Sequence, residues 1–417
     1  MFAGPHVFEN PLVLMLRGLL LIWGSAWFLS RFDWSFKKSA LARLAATAGA
    51  VSFLVFFNFL LELSHQGIGM SLVGHRNDSC DPSFQTENKA VQWVNNISDV
   101  LSSTFKAIIK GACCLNLADE ILKLKEQKKA VILAHNYQRP EIQDIADYVG
   151  DSIELSRKAM LEKDAEIIVF SAVDFMAESA AILNPDKKVL LPTLGARCPM
   201  AQMLTVDDFK SAKALYPHAP LVLYVNTLAA TKAYCDICCT SANAVQVIES
   251  LDGETVLFGP DRNLAEYVQR KTGKTVIPIP EWGFCPTHLL FQPEDVQILK
   301  VQYPDAVVMA HPECNIEMQN AADFVGSTSQ MCRYAKETDA KTFIVGTEEG
   351  LLHRLRKDNP GKHFVLAYEG AVCPNMKLNT LDRLYSALKE EKHLIRVPEP
   401  IAAQARKALE KMLELKS

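Results

Sequence analysis

GARCPMAQM, residues 195–203, carries a cysteine followed by a proline. The chain has 417 residues and 11 cysteines, and the Cys-Pro pair occurs three times, at Cys198-Pro199, Cys285-Pro286 and Cys373-Pro374. The spacings are 87 and 88 residues. A dipeptide recurring at one period predicts an internal repeat, so the stretches between should recur in register too.

They do so at many positions. Three apolar runs, AVILAHNY (130–137), PLVLYVN (220–226) and AVVMAHPE (306–313), each end in a polar triplet. The triplets are His135-Asn136-Tyr137, Tyr224-Val225-Asn226 and His311-Pro312-Glu313, offset by 89 and 87 residues. Downstream of each lies a short piece ending in a hydroxyl: DYVGDS, DICCTS and DFVGST. Their aspartates, Asp147, Asp236 and Asp323, and their hydroxyls, Ser152, Ser241 and Thr328, align. A second apolar run follows (EIIVFSA, TVLFG, TFIVG), and each unit closes with KKVLLP, KTVIPI or KHFVLA ahead of its Cys-Pro.

Strand-like runs alternate with helical patterns in each unit, which predicts an α/β chain built on parallel sheets. The expected organisation is a lead-in at 70–116, units at 117–201, 202–291 and 292–375, and a helical segment at 376–417 interrupted by Pro398 and Pro400. Within the first unit, Pro140, the spacing of Ile142, Ile145, Ala146 and Val149, and Gly150 predict one helix over 140–149. Ligands of open parallel sheets bind beyond the carboxyl ends of the strands, where the triplets fall. The hydroxyls fall where helices begin, and helix starts favour anions.

Three thiolates meeting near one axis suit a metal. A structural zinc site calls for four ligands, often in close pairs. A 4Fe-4S cluster usually takes four cysteines; with three, one iron lacks a protein ligand and can act as a Lewis acid. Buried core cysteines are the plainer alternative, but core positions of a repeat drift among apolar residues. Cys235, Cys238 and Cys239 align with Ala146, Val149 and Gly150 and with Ala322, Val325 and Gly326, so they read as core packing despite the CxxC spacing. Cys314 and Cys332 have no counterpart in register, and Cys80, Cys113 and Cys114 precede the first unit. Glu313 is the one carboxylate among the triplets and the natural proton-transfer group, with Tyr137 and His135 as further acid–base candidates. GTEEGLLHRL (346–355) reads equally as a phosphate contact or as a strand-to-helix turn.

Composition excludes some classes. Hydrophobic residues at 49% and charged residues at 22% are those of a globular protein. A net charge of −4 without any basic stripe excludes nucleic acid as the expected partner. Residues 11–30 and 44–61 are apolar enough to span a membrane, and the four basic residues between them would place that loop in the cytoplasm. A hairpin of that kind would export the rest of the chain. Residues 1–69 are therefore read either as an extension upstream of a start at Met70 or as an anchor that violates the charge rule.

The pieces AHNYQRPEIQDIADYVGDS, CPM, YVNTLAATKA, CTSANA, AHPEC, GSTSQM, GTEEG and CPNM resemble the quinolinate synthases, the A-protein family of bacterial NAD biosynthesis. The resemblance covers residues from about 115 to 400. It implies a triangle of three pseudo-symmetric three-layer αβα repeats around a central active site. It also implies condensation of iminosuccinate (iminoaspartate) with dihydroxyacetone phosphate to quinolinate, phosphate and water. The implied cofactor is one 4Fe-4S cluster with Cys198, Cys285 and Cys373 as its three ligands. The implied substrate contacts are His135, Ser152, Tyr224, Val225, Asn226, Ser241, His311, Pro312, Glu313 and Thr328, with acid–base work by Glu313 and Tyr137. An aspartate oxidase or dehydrogenase would supply the unstable imine. An oxygen-labile cluster places the enzyme in the cytoplasm, with membrane association only through residues 1–69. Some members carry additional cysteines close before the last ligand, whereas AYEGAVCPN has Cys373 alone. The rival readings are a metabolite sensor on the same scaffold, a zinc-dependent hydrolase, and a membrane-tethered scaffold that leaves the three Cys-Pro pieces unexplained.

Overall fold

The computed structural model describes residues 117–415; the expectations for residues 1–69 and for Cys80, Cys113 and Cys114 lie outside the described residues, as does the lead-in at 70–116. Among the described residues no helix is long and apolar enough to cross a membrane.

The apolar runs are strands. The first sheet holds β1 (Ala130–His135), β2 (Tyr148–Gly150), β3 (Ile167–Ser171) and β4 (Lys188–Leu190), in the order β2-β1-β3-β4. The second holds β5 (Leu221–Tyr224), β6 (Ile237–Cys239), β7 (Thr255–Gly259) and β8 (Thr275–Pro278), ordered β6-β5-β7-β8. The third holds β9 (Val307–Ala310), β10 (Phe324–Val325), β11 (Thr342–Gly346) and β12 (His363–Leu366), ordered β10-β9-β11-β12. All pairings within these sheets are parallel. A parallel sheet needs helices on both faces. Ile132, Leu133 and Ala134 are accordingly all buried, although alternate residues of a strand face opposite sides.

The single helix expected over 140–149 is not formed. A one-turn helix, Pro140–Gln143, is followed by the edge strand β2. Asp147 breaks the helix. Its Oδ2 accepts from the Ile132 amide at 2.8 Å, and its own amide donates to the Ile132 carbonyl at 2.9 Å. An aspartate that can bond a neighbouring strand's backbone offers the chain an alternative to the helix ladder. Asp236 makes the same pair of bonds with Leu221, at 2.7 and 3.0 Å. Asp323 makes them with Val308, at 2.8 and 2.9 Å. This explains why the three aspartates recur: each starts an edge strand.

A second recurrent position holds the triplets. Gln143 Nε2 donates to the carbonyls of Asn136, Gln138 and Gly350. Gln319 Nε2 donates to those of Pro312 and Cys314. In the middle unit the place is taken by the fully buried Lys232, whose Nζ bonds the Thr227 carbonyl. Each turn beyond a central strand is thus fixed from below.

The helix leading into each unit packs on that unit's sheet: Ala212 of Val206–Leu215 against Leu221 and Leu223, and Val296 of Pro293–Gln302 against Val308. The first unit has its own lead-in helix, residues 117–127, with Ile121 in the core of the first sheet, and the C-terminal helix Leu381–Glu390 joins it there, with Leu384 and Leu388 beside Ile132 and Leu190. The C-terminal segment therefore returns to the first sheet, where Leu394 also bridges Leu190. The final segment is broken over 391–398, and the prolines mark where its second helix, Glu399–Glu414, starts, Pro398 as N-cap and Pro400 in the first turn.

Candidate active site

Each Cys-Pro pair follows the fourth strand of its sheet and leads into a 3₁₀ turn: Met200–Gln202, His288–Leu290 or Met376–Leu378. A carboxylate pins each cysteine. The Cys198 amide donates to Asp174 Oδ1 at 2.9 Å and the Cys373 amide to Glu348 Oε1 at 3.0 Å, while the Cys285 amide bonds Asp261. These three acids lie 87 residues apart, in SAVD, FGPD and VGTE. The period that reveals the cysteines holds for these acids as well. Glu348 also settles GTEEG. Its Oε2 accepts from the Gly350 amide at 2.7 Å, and Gly350 lets the backbone pass Tyr137, whose carbonyl carbon would lie 2.7 Å from an added Cβ. That stretch is a strand-to-helix turn.

The three thiols share one space. Burial pushes all three up, and Cys285 is raised further by Cys198 and Cys373, as Cys198 is by Cys373. The groups that favour their thiolates are N–H groups of Ala201, His288, Asn375 and Met376, together with Thr287. Thiolates gathered this way need a cation, and hydrogen bonds from backbone amides to sulfur are a normal feature of metal–thiolate centres. The donor set fits a metal cofactor.

The thiols face a cavity of about 140 Å³ walled by all three units. Lining it are His135, Tyr137, Ser152, Tyr224, Asn226, Ser241, His311, Glu313 and Thr328 together with the three cysteines. Val225 and Pro312 are buried but stand off this wall, where they serve through their backbone. The Val225 amide donates to the Cys239 carbonyl at 2.8 Å, and the Pro312 carbonyl accepts from Gln319. Cys238 and Cys239 lie buried on β6, and Cys235 packs partly buried against the same core with its Sγ 3.7 Å from that of Cys238; none of them lines the cavity. All described cysteines are free thiols. Ser152 and Thr328 occupy the first helical position rather than the cap, which falls to Asp151 and Ser327. Ser241 sits in a turn ahead of Ala244–Glu249, not in a helix.

One hydrogen-bonded chain joins residues of the cavity wall through the buried Thr347 behind it. Tyr137 OH meets Thr347 Oγ1 at 2.6 Å, and Thr347 meets His288 Nε2 at 2.9 Å. His288 Nδ1 reaches Glu313 Oε2 at 2.7 Å, and Tyr224 OH donates to Glu313 Oε1 at 2.5 Å. His288 and Thr347 were not foreseen. His288 has no counterpart in the other units, where Ala201 and Met376 stand, so the repeat that located the rest concealed it. Cys285, His288 and Glu313 have ligand atoms within 4.8 Å of one another. They could be taken for a zinc site, but two ligands roughly 2.0–2.1 Å from a tetrahedral zinc stand about 3.3 Å apart. The 2.7 Å separation of Nδ1 and Oε2 is that of a hydrogen bond.

Charge follows from the same contacts. Burial by itself would raise Glu313, but His288 and the hydrogen bonds from His288 and Tyr224 override it and hold the carboxylate well below its ordinary range. Burial, then the charge of Glu313, pushes Tyr137 and Tyr224 up, so both remain phenols. Burial brings His135 and His311 down to about 3. Both are thus neutral, and each Nδ1 accepts from the amide two residues on, at 3.2 Å, which assigns the proton to Nε2.

Neutral buried histidines carry a stability consequence. The unfolded chain binds protons at these sites below pH 6.5, and the folded chain does not until about pH 3. Stability is therefore full above pH 6.5 and falls with pH toward 3, by at most roughly 1.4 kcal/mol per unit for each histidine. Glu313, held below its ordinary 4.5, adds a loss of the same sign at the acid end. Urea midpoints measured from about pH 7 to about pH 4 should decline steadily. A flat profile would contradict the neutral, buried pair.

The family model described as Quinolinate synthetase A protein matches residues 119–414. Among similar proteins, one from Pyrococcus furiosus is 54% identical over 299 residues, 72% of this chain and 98% of its own length. One from Thermococcus onnurineus is 53% identical over 299 residues, again 72% and 98%. One from Alkaliphilus metalliredigens is 52% identical over 301 residues, 72% and 99%. Each carries the name quinolinate synthase.

Proposed function

The chain belongs to the quinolinate synthase family, enzymes of NAD biosynthesis that act on small molecules, and from that premise we propose how its residues divide the work. The reaction is the condensation of iminosuccinate with dihydroxyacetone phosphate to quinolinate, phosphate and water. The observation that carries this reading is the meeting of three amide-pinned Cys-Pro loops at one cavity, with a carboxylate-centred hydrogen-bond chain beside the thiols, His288 Nδ1 lying 3.2 Å from Cys285 Sγ.

Cys198, Cys285 and Cys373 would hold a 4Fe-4S cluster, which when bound supplies an iron with an open position for Lewis-acid assistance to a leaving hydroxyl. Glu313 takes the proton from the carbon beside the imine or carbonyl. His288 and Thr347 connect it to Tyr137, which returns a proton to a departing oxygen. His135 and His311 offer neutral Nε2–H donors to carboxylate or carbonyl oxygens. Ser152 and Thr328, each in the first turn of a ten-residue helix, add hydroxyls where backbone N–H groups and the helix dipole favour anions. Tyr224 and Asn226 hold Glu313 in place, the phenol at 2.5 Å and the amide at 3.4 Å. Ser241 completes the ring of hydroxyls. Units at 117–201, 202–291 and 292–375 each contribute one triplet, one hydroxyl and one cysteine. An aspartate oxidase or dehydrogenase would supply the imine, which hydrolyses readily in water.

The test is quinolinate formation by chromatography. Protein purified without oxygen is given dihydroxyacetone phosphate and iminosuccinate made in place from oxaloacetate and ammonia. Quinolinate should accumulate in proportion to bound iron. Iron-loaded protein that makes none, or turnover indifferent to iron content, would sink this reading.

A further inference from the structure

A second cavity, of about 440 Å³, opens between the second and third units. Ser241 lines it and lines the central cavity as well, so the Ser241 turn is a wall common to both. That wall is unlike its two counterparts. Ser152 and Thr328 are locked into ten-residue helices capped by Asp151 and Ser327. Residues 241–243 form a turn instead, and the helix Ala244–Glu249 begins beyond it. The turn closes on Asn243, whose Oδ1 accepts from the Thr240 amide at 2.8 Å and hydroxyl at 3.1 Å. Ser241 itself makes no hydrogen bond among the described residues, so that corner costs less to displace than a helical turn. It is tied to the third unit by Gln330, whose Nε2 donates to the Ala242 carbonyl at 3.2 Å.

The charges on this cleft suit anions. Arg333 and Lys271 line it, both exposed and both without an ion-pair partner among the described residues. Glu337 is the lone acid on its wall. Two unpaired cations beside a concave entrance raise the local concentration of anions and their rate of arrival.

We propose that this cleft is the path by which small dianions, a dicarboxylate and a phosphate monoester, enter and leave the central site. Arg333 and Lys271 draw them in, and the Ser241–Ala242 turn yields to admit them. The inference rests on the reading of the central site given above. Charge reversal reads it directly. In the iron-loaded Arg333→Glu/Lys271→Glu variant, kcat/KM for the triose phosphate should fall about tenfold at low ionic strength, with kcat held within about twofold. The gap should close near 0.5 M salt, where the screening length is only about 4 Å. Lys336→Glu, on the same helix as Arg333 but off the cleft, should behave as wild type. Stopped-flow association of pyridine-2,3-dicarboxylate should show the same pattern without turnover. A wild type that makes quinolinate or binds the dicarboxylate, with the double variant matching it at every salt concentration, overturns the route alone. A wild type that does neither overturns the route together with the reading of the site.

Discussion

Serine at Cys198, Cys285 or Cys373, introduced singly into protein purified without oxygen, should abolish stoichiometric iron and sulfide and lower quinolinate formation by about a thousandfold or more. Lewis-acid assistance contributes several kcal/mol to a transition state, and each 1.36 kcal/mol is tenfold in rate, which sets that scale. Each thiol comes from a different unit, so no neighbouring cysteine can stand in for it. The controls are built into the chain. Cys235→Ser and Cys238→Ser alter a free pair at the start of β6 that is absent from the cavity wall, and they should keep both iron and activity. The readout is metal and sulfide content with a visible absorption spectrum, so a folding defect is distinguishable from a lost ligand. Iron retained in any of the three ligand variants, or lost in the controls, would reject this ligand set.

Glu313→Gln should leave the iron content intact and reduce kcat by about 10²–10⁴, the usual range for a positioned proton-transfer group. The substitution keeps the volume of a side chain that is almost wholly buried, so packing is not its main effect. It removes the charge that holds the His288 proton on Nδ1 and that receives the Tyr224 hydroxyl. Because the chain from Tyr137 to Tyr224 acts as one unit, adding Tyr224→Phe to Glu313→Gln should cost much less than the two separate losses together. Steady-state kinetics on iron-matched samples decide it. A glutamine variant with more than about a tenth of the wild-type kcat would remove Glu313 from the proton path and leave Tyr137 as the group to test.

The two predictions differ in how each residue could be found. The cysteines were legible because copies of one unit that each bring a thiol to the same cavity repeat it at the copy length. The triplets and hydroxyls were legible for the same reason. The acids behind the cysteines repeat just as faithfully and were accessible to the same comparison. His288 was not, because the hydrogen-bond chain it joins is asymmetric, with Thr347 on one side and Glu313 on the other. A residue present in one copy alone carries no periodic signal. Thr347 shares that position, one residue ahead of an acid that does repeat.

Local pattern also misled in one place. The apolar spacing after Pro140 suits a helix, yet β1 offers Asp147 a better partner, and parallel pairing takes the segment. The competition is between bonds inside a segment and bonds to a strand elsewhere in the chain, and the sequence of the segment records only the first kind. The strand's aspartate recurs three times, so the repeat held the clue that the local pattern lacked.

The amino-acid sequence by itself determined the parallel α/β units, their number and length, and the three thiols they bring to one place, because copies of one unit must bury the same positions and present the same ends. Only the tertiary structure decided which unit breaks the symmetry. It set His288 between Thr347 and Glu313, left the Ser241 turn without a helix, and brought three equivalent strand ends to one cavity with different side chains at each. The physical reason is that a hydrogen bond between units depends on where two surfaces meet, and that meeting is written in no single stretch of chain.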